Sequence, residues 1–270
     1  MNELLELFQF NFFLNAVMAA LLSGISCGII GTYIVARRKV FITGGITHAS
    51  FGGIGLAYFL GMHPLLGAAI FAVFSAFGIQ FFSQKAEVRE DSSIAIWWSL
   101  GMALGIIFIY LTPGYVPNLM SYLFGSILTV TSSEIWLMVA LNVLLAGFFI
   151  FFFRPVLYIS FDEDFARTSG IPVNLLNYLM MALVALTIVL NIRVVGIILI
   201  LSLLTIPQAT ANLFTKSFKS LIFFSTIIAF LGAFSGLMVS YFADIPSGAS
   251  IIFTLVLIFG LAKLVKVIRK

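Results

Sequence analysis

The sequence predicts an all-α, polytopic transmembrane bundle, with about nine hydrophobic segments making eight to nine spans. Three observations predict it. First, 62% of the 270 residues are hydrophobic and only 9% are charged, against about 25% charged in an average soluble domain. Second, the charges leave uncharged runs at 7–36, 40–84, 92–133, 135–153, 168–192, 194–215, 220–243 and 245–262. Each run is near, or about twice, the roughly 20 apolar residues a helix needs to cross the hydrocarbon core. Third, the runs lack the period-two alternation of a membrane strand, and within lipid an isolated segment satisfies its backbone polar groups only as a helix. A soluble enzyme, a nucleic-acid binder and a disordered chain are excluded, because no small domain buries so much apolar surface in water.

Taken in order, the first span falls near 8–36. It follows an acidic amino terminus without a cleavage pattern, so it is expected to remain in the mature protein. The 45-residue run 40–84 must fold back once, and Gly61-Met62-His63-Pro64 is the turn, since Pro64 starts a helix but does not continue one. That gives spans near 43–60 and 64–83, followed by one near 92–111. The segment Thr112–Ser133 opens with Pro113, Gly114 and Pro117. Its apolar piece Leu119–Val130 is too short to cross and predicts a re-entrant or interfacial helix. A span near 134–153 begins at Glu134, which is suited to capping and to the helix dipole. The polar segment 154–172 follows, with Asp162 at an amino cap and Gly170 at a carboxyl end. Further spans fall near 173–190, 194–213, 220–242 and 249–264, and Pro207 is expected to kink or end the one that contains it. Trp97, Trp98 and Trp136 lie near span ends, as interface anchors do.

Orientation follows from the bases. With the amino terminus outside, thirteen of fourteen lie on the cytoplasmic side and only Arg193 lies outside; the opposite orientation reverses the count. The single cysteine, Cys27, lies inside a span and reads as a small packing residue.

Ionisable groups within spans mark function in membrane proteins, and this chain has almost none. No Asp, Glu, Lys or Arg falls in the middle of an expected span, and His48 is the one titratable polar candidate inside one. A proton-driven carrier needs a relay of such groups, so the energy for any transport lies elsewhere. The chain has no G-x-x-x-x-G-K-[ST] phosphate loop with which to hydrolyse nucleotide itself. His48 shares a helix face with Gly44 and Gly52, beside Gly45, Ala49 and Gly53. Two readings stand for it: an interhelical hydrogen bond in a small-residue seam, or an imidazole ligand for zinc, manganese or iron. Thr47 adjoins it, and the carbonyls freed by Pro207, with Thr205 and Gln208, are candidates to face a pathway or to pack a kink.

Several ordered motifs carry a family resemblance. They are Gly31 to Arg38, Gly44 to Gly55, Leu119 to Ser126, Phe161 to Gly170, Val194 to Ala211 and Asp244 to Gly248. The chain resembles the permease subunits of bacterial zinc/manganese/iron ABC importers over nearly its whole length. The resemblance implies a single permease domain, 1–270, in the cell (inner) membrane, which pairs with a second copy of itself. Two cytoplasmic ATP-binding subunits and an extracytoplasmic metal-binding protein complete the assembly. It implies no tightly bound cofactor: the divalent metal is cargo, and ATP is used by the partner chain. It implies that Asp162, Glu163, Asp164, Phe165, Ala166, Arg167 and Gly170, within the loop 154–172, form a coupling helix that docks on the ATPase. His48 matches the family's histidine in an Asp-x-x-x-His pattern, although the aspartate position is Gly44 here and an acid sometimes found after Phe-Gly is Ser126. Glu134 is a secondary metal candidate. A permease for an iron chelate or cobalamin is the alternative reading.

Overall fold

Among the described residues the long hydrophobic segments fold as helices, as the need for internally satisfied backbone groups dictates. The computed structural model describes residues 9–86, 88–114 and 125–269. Its helices are α1 Asn11–Ala36, α2 Val40–Phe59, α3 Pro64–Lys85, α4 Glu90–Leu111, α5 Ser132–Phe161, α6 Glu163–Thr168, α7 Val173–Leu203, α8 Ile206–Ala211, α9 Phe218–Ala243 and α10 Ser247–Ile268. Nine described stretches are long and apolar enough to cross a membrane, with α7 supplying Val173–Ile192 and the start of Val194–Ala211. The described residues fall into two compact units, one built from those within 37–114 and 152–192, the other from those within 9–36, 125–151 and 193–269.

In the first of these units α2 is clasped between α3 and α4 by contacts of backbone on backbone. A Cβ on Gly53 would lie 2.0 Å from the Gly67 carbonyl oxygen, and one on Gly55 would lie 2.4 Å from that of Gly105. On α4, a Cβ on Gly101 would meet Ala49 Cα at 2.4 Å. Gly101 and Gly105 sit four apart on one face of α4, the spacing that lets two helices approach closely in lipid. Ser93 Oγ adds a bond to the Ile79 carbonyl, 3.2 Å away. Trp97 is buried and packs edge-on to Phe74, against an α3 surface opened by Gly78, where a Cβ would strike its ring at 1.9 Å. Trp97 is therefore a core residue and not an interface anchor, whereas Trp136 is 72% exposed.

The other unit uses the same device twice. Gly24 and Gly28 of α1 face Phe230 and Thr226 of α9, and Gly232 and Gly236 of α9 face Leu255 and Ile251 of α10. Side-chain amides bond backbone oxygens across elements: buried Asn142 Nδ2 donates to Leu22 O at 3.1 Å and half-buried Asn15 Nδ2 to Val130 O at 3.1 Å.

Three boundaries differ from expectation, each for a local reason. Helix α5 runs on to Phe161 rather than ending near 153, so Arg154 is helical. Pro155 produces a departure from helical geometry at Phe152 (φ −109°, ψ 18°) rather than a stop, because the ring crowds the preceding turn without breaking it. In α7 the helical backbone is interrupted at Gly196 (φ 79°, ψ 166°). There Gly125 (φ 56°) approaches so closely that a Cβ would lie 2.2 Å from Gly196 N. The span holding Pro207 is broken before the proline: α7 stops at Leu203, and Pro207 sits in the first turn of the new short helix α8, where its missing N–H costs nothing. Of the expected Leu119–Val130 helix, the described part holds only a 3₁₀ turn, Ile127–Thr129; its remainder, to residue 124, lies outside the described residues.

Backbone-contact glycines and open glycines should respond oppositely. Gly101→Ala is expected to destabilise the detergent-solubilised chain by about 1–3 kcal/mol through overpacking. Gly260→Ala, with open space at its Cβ, should be neutral or gain up to about 1 kcal/mol of helix propensity. Thermal unfolding of the two variants checks the difference.

Candidate functional site

Helix α2 carries Gly44, Thr47, His48 and Gly52 within the glycine-clasped unit. Gly44, Thr47 and Gly52 are buried and His48 is half-buried. Thr47 Oγ1 is turned back to donate to the Thr43 carbonyl. The imidazole of His48 lies flat on the indole of Trp98, with centroids 4.2 Å apart and planes 5° apart. Its Nδ1 is buried and has no hydrogen-bond partner among the described residues. The interhelical hydrogen bond open to His48 on sequence grounds is thus not made through Nδ1; stacking orients the ring. An orphaned buried nitrogen is costly unless something pairs with it, and imidazole nitrogen is a common ligand for divalent transition metals.

The second unit holds the remaining polar candidates. Glu134 reaches back to Thr131, its Oε2 accepting from both N and Oγ1 at 2.9 Å. Glu134 N donates in turn to Thr131 Oγ1 at 3.4 Å. This is a reciprocal capping box at the start of α5. Ser126 is extended (φ −155°, ψ 109°) and its carbonyl accepts from Thr129 N at 3.1 Å. Pro207 and Gln208 are buried and Thr205 is half-buried. Gln208 Nε2 donates to Cys27 O at 2.7 Å and to Leu203 O at 3.2 Å, so it takes up a carbonyl freed by the break before α8 and ties it to α1. Gly31 makes room for that amide. Among the described residues no group of three or more His, Cys, Asp or Glu side chains gathers to hold a metal.

Residues 162–170 form a discrete structure. Asp162 caps α6, its side chain accepting from Phe165 N at 2.9 Å. Beyond Thr168 the chain closes a Schellman motif: Ile171 N donates to Ala166 O and Gly170 N to Arg167 O, each at 3.1 Å. Gly170 takes φ 77°, which glycine adopts without Cβ strain. The helix has two faces. Ala166 is fully buried, while Asp164, Arg167 and Phe165 are exposed; Arg167 Nη2 donates to Asn174 Oδ1 at 3.0 Å and Phe165 packs edge-on against Tyr158. Glu163 turns inward to pair with Arg37 and to accept from Asn177 Nδ2 at 3.0 Å.

Sequence reasoning missed Trp98, Arg37 and Asn177 as partners of the candidate residues. Trp98 carried a signal in its place on an apolar helix beside a second tryptophan, and Arg37 in its place immediately after a long apolar run. Nothing local marked Asn177.

Burial pushes the Glu163 carboxyl upward, but bonds from Arg37 and Asn177 and the charges of Arg37 and Lys39 outweigh it and hold the group below the ordinary glutamate range. A depressed folded-state value gives stability that is fully present above the ordinary pKa and is lost as pH falls through the lower one. The unfolding midpoint of the solubilised chain should therefore fall across that acidic window, and Glu163→Gln should flatten this part of the profile.

Comparison with known proteins agrees with the fold and with the order of these segments. The sequence signature described as the ABC 3 transport family matches residues 9–266. An uncharacterized membrane protein of Synechocystis is 39% identical over 93% of this chain and 89% of its own length. The manganese transport system membrane protein MntC of Halalkalibacterium halodurans is 34% identical over 95% of this chain and 88% of its own. Among solved structures, PsaBC from Streptococcus pneumoniae in complex with Fab superposes with a TM-score of 0.84 at 33% identity, over 95% of this chain and 92% of that one. With its signature matched from the first helix to the last, the chain is a member of the ABC 3 transport family.

Proposed function

We propose that this chain is the membrane-spanning subunit of an ATP-driven importer of a divalent transition metal, with manganese the leading cargo. The observation that carries the reading is the match along nearly the whole chain to the family and to a manganese transport permease. Three features of the chain support it. The spans lack the carboxylate relay of an ion-driven carrier. His48 offers a ring nitrogen with no partner among the described residues, on a helix in the core of one unit. The helix α6 presents Asp164, Phe165 and Arg167 outward, as docking on another protein requires.

On this reading two copies of the chain surround a pathway in a bacterial cell membrane, with the amino terminus outside and the carboxyl terminus in the cytoplasm. An extracytoplasmic binding protein delivers the metal, and two cytoplasmic ATPases bind and hydrolyse ATP. Their movement reaches the permease through residues 162–170 and drives alternating access. His48 touches the ion in passing, with Thr47 of the same helix as an oxygen donor beside it. A pathway ligand must hold weakly: entry has to be favourable and release fast. Gly44 in place of an acid suits that demand and softens the preference for manganese over zinc and iron, since manganese favours oxygen ligands.

His48→Ala in the assembled complex is expected to lower manganese uptake at least about tenfold, a typical loss for a metal contact. It should also change the order in which manganese, zinc and iron compete. Uptake and competition unchanged from wild type would reduce His48 to a packing residue.

A further inference from the structure

One carboxylate oxygen gathers three separate stretches of chain. Glu163 Oε1, at the start of α6, accepts from Arg37 in the linker after α1 and from Asn177 in the second turn of α7. The same guanidinium donates through Nη1 to the Ile159 carbonyl at the end of α5, one of the oxygens that a helix end leaves without an intrahelical partner. Arg37 is only 12% exposed, so the fork lies mostly out of water. Two residues further on, Lys39 pairs with Glu90 at the start of α4, with Nζ and Oε2 3.0 Å apart. Arg38, between these two pairs, sits in the left-handed region at φ 57°, which a residue with a side chain adopts only when its surroundings impose it. Lys39 immediately precedes α2, the helix of His48.

The linker 37–39 is thus pinned on one side to α6 and on the other to α4, and it leads directly into α2. Helix α6 divides its work between two faces: Phe165, Asp164 and Arg167 are exposed, and Glu163 is turned to the linker. We infer that Glu163 and Arg37 are positioning residues that transmit displacement of α6 to the start of α2 and so link nucleotide hydrolysis in the partner to movement of the His48 helix. Asn177 fixes the carboxylate in the orientation that Arg37 needs. A fork that bonds two acceptors at once gives direction as well as attraction, which a transmitting contact requires and a simple surface ion pair does not supply.

The inference rests on the docking role proposed for residues 162–170, and the two are separable. The test uses proteoliposomes holding the whole complex, with manganese uptake and ATP hydrolysis measured together. In Glu163→Ala and Arg37→Ala, the manganese moved per ATP hydrolysed should fall about tenfold while hydrolysis stays within about twofold, within the range of coupling energies between linked sites. The double variant should be no worse than either single, because both remove one contact. Arg37→Lys, which keeps the charge and loses the fork, should recover part of the ratio. An unchanged ratio, additive losses, uptake and hydrolysis falling together, or failure of Arg37→Lys and both alanine variants to assemble would each overturn the inference. Phe165→Glu tests the underlying reading by itself: it should stop the ATPase from co-purifying, and an intact complex would remove the docking role whatever the ratios show.

Discussion

Lipid gives helices little reason to hide leucine from their surroundings, so what holds this protein together is close approach of backbones. Glycine pairs four residues apart make that approach at Gly24 and Gly28, at Gly101 and Gly105, and at Gly232 and Gly236, where added methyl groups would run into neighbouring helices. Dispersion contacts at such distances replace the hydrophobic driving force of a soluble core. Buried polar groups then take a supporting part: Asn142, Gln208 and Ser250 each bond a backbone oxygen of another element. The same constraint sets where irregular backbone is allowed. The interruption at Gly196 is covered by Gly125, and the break before α8 by Gln208, so the freed groups meet protein and not hydrocarbon.

Against that background the placement of charge becomes informative. The clasped helix α2 carries a histidine whose ring is set by stacking, with one nitrogen unpaired among the described residues. The ion pairs among the described residues join the linker 37–39 to Glu163 and to Glu90, apart from an exposed local pair between Arg89 and Asp91. Charge is concentrated at the ends of helices, beside α6, and is sparse along their length. In the proposed importer this division separates two tasks, contact with cargo inside the membrane and contact with the energy source at its surface.

Much of the fold was legible because each crossing is a local property of the chain. The all-α bundle and its nine apolar stretches follow from uncharged runs of the right length. Asp162 as a cap and Gly170 at the helix end follow from side-chain and φ chemistry acting within a few residues. Pro155 and Pro207 were less legible, since proline can bend, break or start a helix, and the choice depends on what packs against it. Trp97 looked like an interface anchor by position, yet Gly78 on the neighbouring helix opens a place for it in the core. The stacking of Trp98 on His48 and the meeting of Arg37, Glu163 and Asn177 are tertiary events between segments far apart in sequence, and no local pattern encodes them.

In the proposed importer this chain moves metal only with energy supplied by a partner. The most direct measurement is metal uptake into proteoliposomes that hold either the chain alone or the chain assembled with its ATPase and binding protein, each with and without ATP. The account predicts concentrative uptake only in the assembled complex supplied with ATP. Uptake at the same rate by the chain alone would contradict it.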